Sequence, residues 1–65
     1  MSLSKYDAYA RDYAEACELG DWSWAAAAAL ECADAVWESE GHRRKWEDRA
    51  ADCRHRMGED ARAEA

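Results

Sequence analysis

Proline is absent from this 65-residue chain, and the only other strong breaker of regular structure, glycine, occurs three times, as Gly20, Gly41 and Gly58. Each glycine follows a stretch whose apolar residues recur at helical spacing. Glycine is favoured just past a helix end because it adopts positive φ without strain. The spacing therefore predicts an all-α protein built from three helices.

The predicted helices span about residues 4–19, 22–39 and 42–57. They form one domain, 1–58, followed by an acidic tail, 59–65, that we expect to be frayed or disordered. Ser4 is the expected N-cap of the first helix and Asp21 that of the second.

Each predicted helix has an apolar stripe. In the first helix the stripe consists of Leu3, Tyr6, Ala10, Tyr13 and Cys17; in the third it consists of Trp46, Ala50, Cys53 and Met57. The second helix is apolar over half its circumference, at Trp22, Ala25, Ala26, Ala29, Leu30, Cys32, Ala33, Val36 and Trp37. Half a circumference is too wide for one partner helix. We therefore expect the second helix to lie centrally, between the other two or in an oligomer core.

Large aliphatic residues are scarce, and isoleucine and phenylalanine are absent, so the four tryptophans and three tyrosines must supply most of the apolar bulk. A chain of this length buries only about 60% of the surface that its unfolded form exposes, which makes an isolated domain marginally stable. We therefore expect self-association, most simply as a symmetric dimer.

Charge is unevenly distributed around the net value of −6. Residues 1–41 contain nine acidic and two basic residues, whereas 42–57 contain three acidic and six basic residues. The basic side chains border the stripe of the third helix, so we expect their stems to lie on the neighbouring helices and their charges to face the acids there. The net negative charge disfavours direct binding to nucleic acid.

Compartment and origin are suggested by composition. The chain has no apolar leader, its alanine run 25–30 is too short to span a bilayer, and its three cysteines are odd in number and unclustered, so we expect a cytoplasmic protein. Arginine far outnumbers lysine, and Asn, Gln and Thr are missing. That bias is typical of a high-GC genome, such as that of an actinobacterium or one of its phages.

The turn before the second helix resembles part of a known repeat family. A Gly-Asp-aromatic turn followed by spaced small residues is similar to the turn and second helix of a tetratricopeptide repeat, here at Gly20, Asp21, Trp22, Ala25, Ala29 and Cys32. Tyr9 falls where that repeat places an aromatic residue in its first helix. The resemblance covers roughly half the chain. It implies helical-hairpin packing and protein–protein binding, and it assigns no binding residues.

The sequence offers little support for a metal site or for catalysis. The possible ligands and nucleophiles are Cys17, Cys32, Cys53, His42 and His55, and they lack the close pairs typical of zinc sites. Each cysteine lies on an apolar stripe, where it is expected to be a small buried hydrophobe. We therefore expect no metal, no cofactor and no enzymatic activity.

Aromatic residues are the candidate partner-binding residues, because an exposed tryptophan is a typical interface anchor. The candidates are Trp24, Tyr9, Trp37 and Trp46. Trp37 and Trp46 also lie on predicted apolar faces, which favours the core for them. Trp24 lies on the opposite side of the second helix, so exposure and coverage by the chain itself both remain open.

Two further features suggest binding through charge. The basic run at the start of the third helix could hold an anionic ligand or nucleotide through Arg43, Arg44 and Lys45. Acid pairs on the first two helices could instead imitate a phosphate backbone, as in a DNA mimic. The simpler interpretation is that the bases pair with Glu38, Glu40 and the acids of a partner chain.

The leading functional hypothesis is a small non-enzymatic protein–protein interaction module, homo-oligomeric, that could modulate a host protein in a phage or bacterium. The alternative is a charge-based inhibitor (a DNA mimic) or a binder of small anionic ligands that uses the basic start of the third helix.

Overall fold

Three helices make up most of the described part of the chain. A computed structural model describes the backbone of residues 5–64 and the side chains of residues 5–58. The helices are α1 (Lys5–Leu19), α2 (Trp22–Ala35) and α3 (Glu40–Glu64), and the described residues contain no strand. The all-α prediction is confirmed. Ser4 and Leu3 lie outside the described residues.

The turn between α1 and α2 is made by Gly20 and Asp21. Gly20 has φ of 71°, and it is the only described residue with positive φ. Its amide donates to the Cys17 carbonyl at 3.2 Å, and the Asp21 amide donates to the Ala16 carbonyl at 2.9 Å. These two bonds form a Schellman motif, which satisfies the last carbonyls of α1.

Asp21 also caps the helix that follows. Its Oδ1 accepts a hydrogen bond from the Trp24 amide at 3.1 Å. The predicted N-cap is thus confirmed. Because one residue closes α1 and opens α2, the two helices form a tight hairpin.

The predicted boundary between α2 and α3 is wrong. The prediction placed the end of α2 at Ser39 and the start of α3 at His42, whereas α2 ends at Ala35 and α3 begins at Glu40. The Trp37 amide donates to the Asp34 carbonyl at 3.3 Å, a tighter pattern than the α-helical one. β-Branched and aromatic residues such as Val36 and Trp37 have modest helix propensity, which favours an end here.

Ser39 lies just before α3, where serine is favoured as a cap. Its carbonyl accepts from the Arg43 amide at 2.8 Å, and its Oγ is 2.7 Å from Nδ1 of His42. Gly41 therefore belongs to the first turn of α3 rather than to the end of α2.

Helix α3 is also longer than predicted. The expected end was Met57, but the helix continues through Gly58 to Glu64, including most of the segment for which we expected fraying or disorder. Gly58 lacks the positive φ of a helix-ending glycine. Glycine inside a helix costs about 1 kcal/mol relative to alanine, a penalty that flanking helix formers offset.

Helix α2 lies between α1 and α3, as its wide apolar face predicted. It packs against both, whereas no described Cα atom of α1 lies within 8 Å of one in α3. The molecule measures 46 × 25 × 12 Å. A width of 25 Å fits three helices side by side at their usual spacing of about 9 Å. The fold is therefore a single layer of helices with α2 in the middle.

The core is built from small residues. Its fully or nearly fully buried members are Ala16, Ala25, Ala26, Ala28, Ala29, Cys32, Ala33, Trp46, Ala50 and Cys53. Trp46 is the only large side chain among them. Alanine lets helix backbones pack closely but contributes little apolar area per residue. None of the helices in residues 5–64 is long and apolar enough to cross a membrane.

Candidate interaction surface

Aromatic side chains from α1 and α3 meet over the alanines of α2. The ring centroids of Tyr13 and Trp46 are 5.3 Å apart at an interplanar angle of 89°, and those of Tyr6 and Trp46 are 6.0 Å apart at 80°. Both pairs have the edge-to-face geometry that aromatic rings prefer. Tyr6 and Tyr13 pack against the cluster that contains Ala29 and Trp46. One side of α2 is covered in this way.

Two arginines of α3 lie on aromatic rings. The guanidinium carbon of Arg49 is 4.4 Å from the Trp46 ring centroid and 5.8 Å from that of Tyr13. Arg56 is 4.9 Å from the Trp22 ring centroid. Contacts of this kind contribute about 0.5–1 kcal/mol at exposed sites. The guanidinium groups of these two arginines thus lie over one ring of α1, one of α2 and one of α3 itself.

The ion pairs Arg43–Glu47 and Arg56–Asp52 both lie within α3, at 3.3 and 3.0 Å. From the sequence we expected acids of α1 and α2 as the partners of the bases in α3. Both pairs are solvent-exposed and spaced four residues apart, so each contributes little, about 0.3–0.5 kcal/mol.

All three cysteines are free. Burial raises the pKa of the Cys32 thiol to about 11 and also raises the pKa of Cys53. Burial likewise raises the pKa of Tyr13 to about 12, with a smaller contribution from a hydrogen bond with Cys17. Cys17 in α1 and Cys53 in α3 are more than 8 Å apart at Cα, too far for a disulfide without backbone movement. The prediction that the cysteines are small buried hydrophobes is confirmed for Cys32 and Cys53, whereas Cys17 is only partly buried.

The other side of α2 is uncovered. We call it the open face of α2 and define it as Ala27, Leu30, Glu31 and Asp34, together with Trp37 in the turn that follows; all five are exposed. Leu30 is 39% exposed and Trp37 is 63% exposed. Both were predicted to belong to the apolar half of α2. The burial expected from that prediction is wrong for both residues: Leu30 lies at the edge of the apolar arc, beyond the positions that α1 and α3 cover, and Trp37 lies past the end of α2 at Ala35.

The remaining aromatic candidates are less accessible. Trp46 is 5% exposed and belongs to the core, so it presents almost no surface to a partner. Trp24 is partly buried and packs against the cluster of Ala16, Ala25, Ala26 and Cys53. Tyr9 is partly buried beside Trp46 and its neighbours. Of the four candidates, only Trp37 presents most of its surface to solvent.

The basic start of α3, residues 42–45, begins close to Trp37. Nη1 of Arg43 donates to the Trp37 carbonyl at 3.4 Å, while its Nε faces Glu47. Arg44 and Lys45 are exposed. The three candidate anion-binding residues therefore differ: Arg43 is engaged within the chain, and the other two extend into solvent.

Neither Leu30 nor Leu19 was predicted to be a surface residue. Leu19 is 69% exposed at the end of α1. The exposure of Leu30 could have been inferred from its angular position, about 80° from Trp22 on the helical wheel, which places it next to the polar arc of α2. Within the part of the chain that the structure describes, we find no concave pocket and no group of three or more metal-ligating side chains.

Comparison with known proteins adds no relative: no family model, no curated protein and no solved structure matches this chain. The class of protein is therefore defined by the fold alone, as an all-α three-helix layer.

Proposed function

We propose that this chain is a small non-enzymatic protein–protein interaction module that self-associates through the open face of α2. One observation supports the proposal above the others. Small residues occupy the core, whereas two of the few large apolar residues in the chain, Leu30 and Trp37, are exposed on the open face of α2. Burying a large apolar side chain stabilises by about 1.5–3 kcal/mol, so a partner that covers both gains substantially.

The composition of the core supports self-association in particular. Alanine supplies little apolar area, and a 65-residue chain is marginally stable by its own packing. Covering the open face would add apolar burial where the monomer lacks it.

Three free thiols, two of them fully buried, suit a reducing compartment, so we propose the cytoplasm as the location of this protein. Docking on a host protein would use the same face.

An alternative function, binding of a small anion or imitation of DNA, has less support. Arg43 is engaged by Glu47 and the Trp37 carbonyl, which leaves Arg44 and Lys45 as the available cations. Both extend from a convex helix surface, where a small ligand gains little contact.

Sedimentation equilibrium across a concentration series tests the proposal. We expect the wild-type chain to be a dimer or higher oligomer in reducing buffer, with its mass unchanged by a chelator. The variant Leu30→Ala/Trp37→Ala should be a folded monomer. Leu19→Ala is the matched control, since it removes a more exposed leucine at the end of α1 and should leave the mass unchanged. A wild-type chain that stays monomeric at high concentration would contradict self-association.

A further inference from the structure

Two cysteines that are far apart in the sequence lie in one cluster of the fold. Cys53 of α3 is 1% exposed and is buried with Ala16, Ala25 and Ala26, and Cys17 of α1 packs against these residues. The sequence gave no reason to expect a metal, because its cysteines and histidines form no close pair along the chain. Only folding brings these two thiols together.

The hydroxyl group of Tyr13 connects the two thiols. Tyr13 packs against the same cluster, one helical turn before Cys17, and it hydrogen-bonds with Cys17 and with Cys53. The two cysteines also interact directly, since burial raises the pKa of Cys53 and the neighbouring Cys17 raises it further. Two thiols and one phenol hydroxyl therefore converge at one place in the fold.

The separation of the two helices at this place does not suit a disulfide. Cys17 and Cys53 are more than 8 Å apart at Cα, whereas a disulfide requires about 4.4–6.8 Å. An ion held between the sulfurs fits a larger separation. Two metal–sulfur bonds of about 2.3 Å each hold the sulfurs up to about 4.6 Å apart, compared with about 2.05 Å in a disulfide.

The number of donors limits the kind of ion that could bind. Among the described residues, no three His, Cys, Asp or Glu side chains are grouped closely enough to hold a metal ion. Structural zinc takes four ligands, and calcium and magnesium require several oxygen ligands. Copper(I) is a soft cation that thiolates select, and its filled d shell allows stable complexes with two ligands. The donor set therefore favours copper(I).

We propose that Cys17 and Cys53 together bind one copper(I) ion as a two-coordinate bis-thiolate, with the Tyr13 hydroxyl donating hydrogen bonds to the bound sulfurs. Each thiol releases one proton on binding, and copper keeps its oxidation state, so the occupied site carries one net negative charge. The inference is independent of the proposed function, because both ligands belong to one chain and the open face of α2 takes no part.

The surroundings of Cys53 determine how readily this thiol gives up its proton. Burial raises the pKa of Cys53, and the neighbouring carboxylate of Asp52 adds to the rise. Arg56 and the hydrogen bond from Tyr13 lower the pKa, since both stabilise a thiolate. A copper(I) ion between the sulfurs adds further positive charge and favours both thiolates. The same groups would stabilise the negative charge of the occupied site.

Competition with a coloured copper(I) chelator tests the inference. The reduced protein is added under anaerobic conditions to the copper(I) complex of bicinchoninate, whose colour fades as the protein takes the ion. We expect one copper(I) per chain. Cys17→Ala and Cys53→Ala should each abolish this transfer, because one thiolate cannot hold the ion against the chelator. Tyr13→Phe should weaken binding by about 10- to 100-fold, the usual effect of removing a group that hydrogen-bonds to a metal ligand.

Cys32→Ala is the matched control. It makes the same substitution at a buried thiol of α2 that belongs to the other cluster, and it should bind copper(I) as the wild type does. Circular dichroism checks that every variant is folded. If Cys53→Ala is unfolded, the partly exposed Cys17 decides the result through Cys17→Ala.

Sedimentation of the copper-loaded protein distinguishes a site within one chain from an ion shared by two chains. Loading should leave the mass unchanged, because both ligands come from the same molecule. A mass that rises with copper would mean that the ion bridges two molecules through Cys17, and it would overturn the proposed pairing with Cys53.

The remaining outcomes are equally decisive. Binding of one ion that is lost in Cys17→Ala and retained in Cys32→Ala supports the site. A wild-type protein that takes no copper(I) from the chelator, or an equal loss of binding in Cys32→Ala, would overturn it. None of these results bears on self-association through the open face of α2, whose test is the mass of Leu30→Ala/Trp37→Ala without copper.

Discussion

Cys32 is fully buried on α2, in the cluster that contains Ala29, Ala33 and Trp46. No water can solvate a thiolate at this position, so the neutral thiol is favoured and burial raises its pKa to about 11. The ordinary value for a cysteine is about 9. The difference links the folding stability of the protein to pH.

We predict that the free energy of unfolding falls in alkaline solution and that Cys32 contributes to the fall. Below pH 9 this thiol is protonated in both the folded and the unfolded chain, and its contribution is fully present. As pH rises from about 9 through 11, the unfolded chain loses the proton while the folded chain retains it, so stability decreases. The loss from Cys32 should be on the order of 2 kcal/mol. Urea denaturation from pH 8 to pH 11 in reducing buffer measures it.

The variant Cys32→Ala isolates this contribution. Its decrease in stability between pH 8 and pH 11 should be smaller than that of the wild type, whatever its stability at neutral pH. A decrease remains, because burial also raises the pKa of Tyr13 and of Cys53. Parallel profiles for the two proteins would show that the Cys32 thiol is not the titrating group.

Individual core residues on α1 and α3 could be predicted from the sequence, because helical spacing alone places Tyr13, Trp46 and Cys53 on inward faces. The exposure of Leu30 and Trp37 could not be predicted from the sequence. Whether a residue at the edge of an apolar arc is covered depends on how far around α2 the neighbouring helices reach, which is a tertiary property. The candidate interaction surface therefore emerged only partly from sequence, through Trp37.

At the scale of helices, the glycines behave in two different ways. Gly20 ends α1 in the left-handed region, with φ of 71°. Gly58 lies inside α3 without positive φ. An added Cβ would meet no atom within 4 Å at either position, so backbone conformation alone distinguishes them.

Alanine substitution at these two glycines should therefore change stability in opposite directions. Gly20→Ala should destabilise by about 1 kcal/mol or slightly more, because an L-residue is strained in the left-handed region. Gly58→Ala should stabilise by about 0.5–1 kcal/mol, because alanine loses less conformational entropy in a helix. Urea denaturation at one fixed protein concentration compares the two. Changes of the same sign would mean that α3 ends at Gly58 or that Gly20 is not required for the turn.

The same contrast explains why helix boundaries were predicted well at one turn and poorly at the other. At the first turn, a helix-ending glycine, Gly20, is directly followed by a helix-capping residue, Asp21, so both residues indicate the same helix boundary. At residues 36–41, the weak helix formers Val36 and Trp37 precede a capping serine, while Gly41 comes two residues after it. The boundary there lies at Ser39, whose carbonyl accepts a hydrogen bond from the Arg43 amide at the start of α3.

At the scale of the whole molecule, the single layer depends on small side chains along α2. Because α1 and α3 flank this helix on two sides, its buried positions must accommodate both neighbours at once. The width of the apolar arc on α2 allowed its central place to be predicted from the sequence. The aromatic contacts of Tyr6 and Tyr13 with Trp46 could not be predicted from the sequence. They join residues of α1 to a residue of α3, far apart in the chain, and α2 lies between these two helices.

Enlarging an alanine at the centre of α2 should consequently disrupt the packing of both neighbours. Ala29 is fully buried in the cluster with Trp46. Ala29→Leu forces the layer apart and should destabilise by about 1–3 kcal/mol, the usual effect of overpacking a filled core. Ala51→Leu is the matched control at an exposed position of α3, where the change should lie within about 0.5 kcal/mol of zero. Thermal unfolding followed by circular dichroism compares them at equal concentration. If Ala29→Leu were as stable as the control, there would be room for a larger side chain at position 29. That outcome would contradict close packing of α1 and α3 against α2 around Ala29.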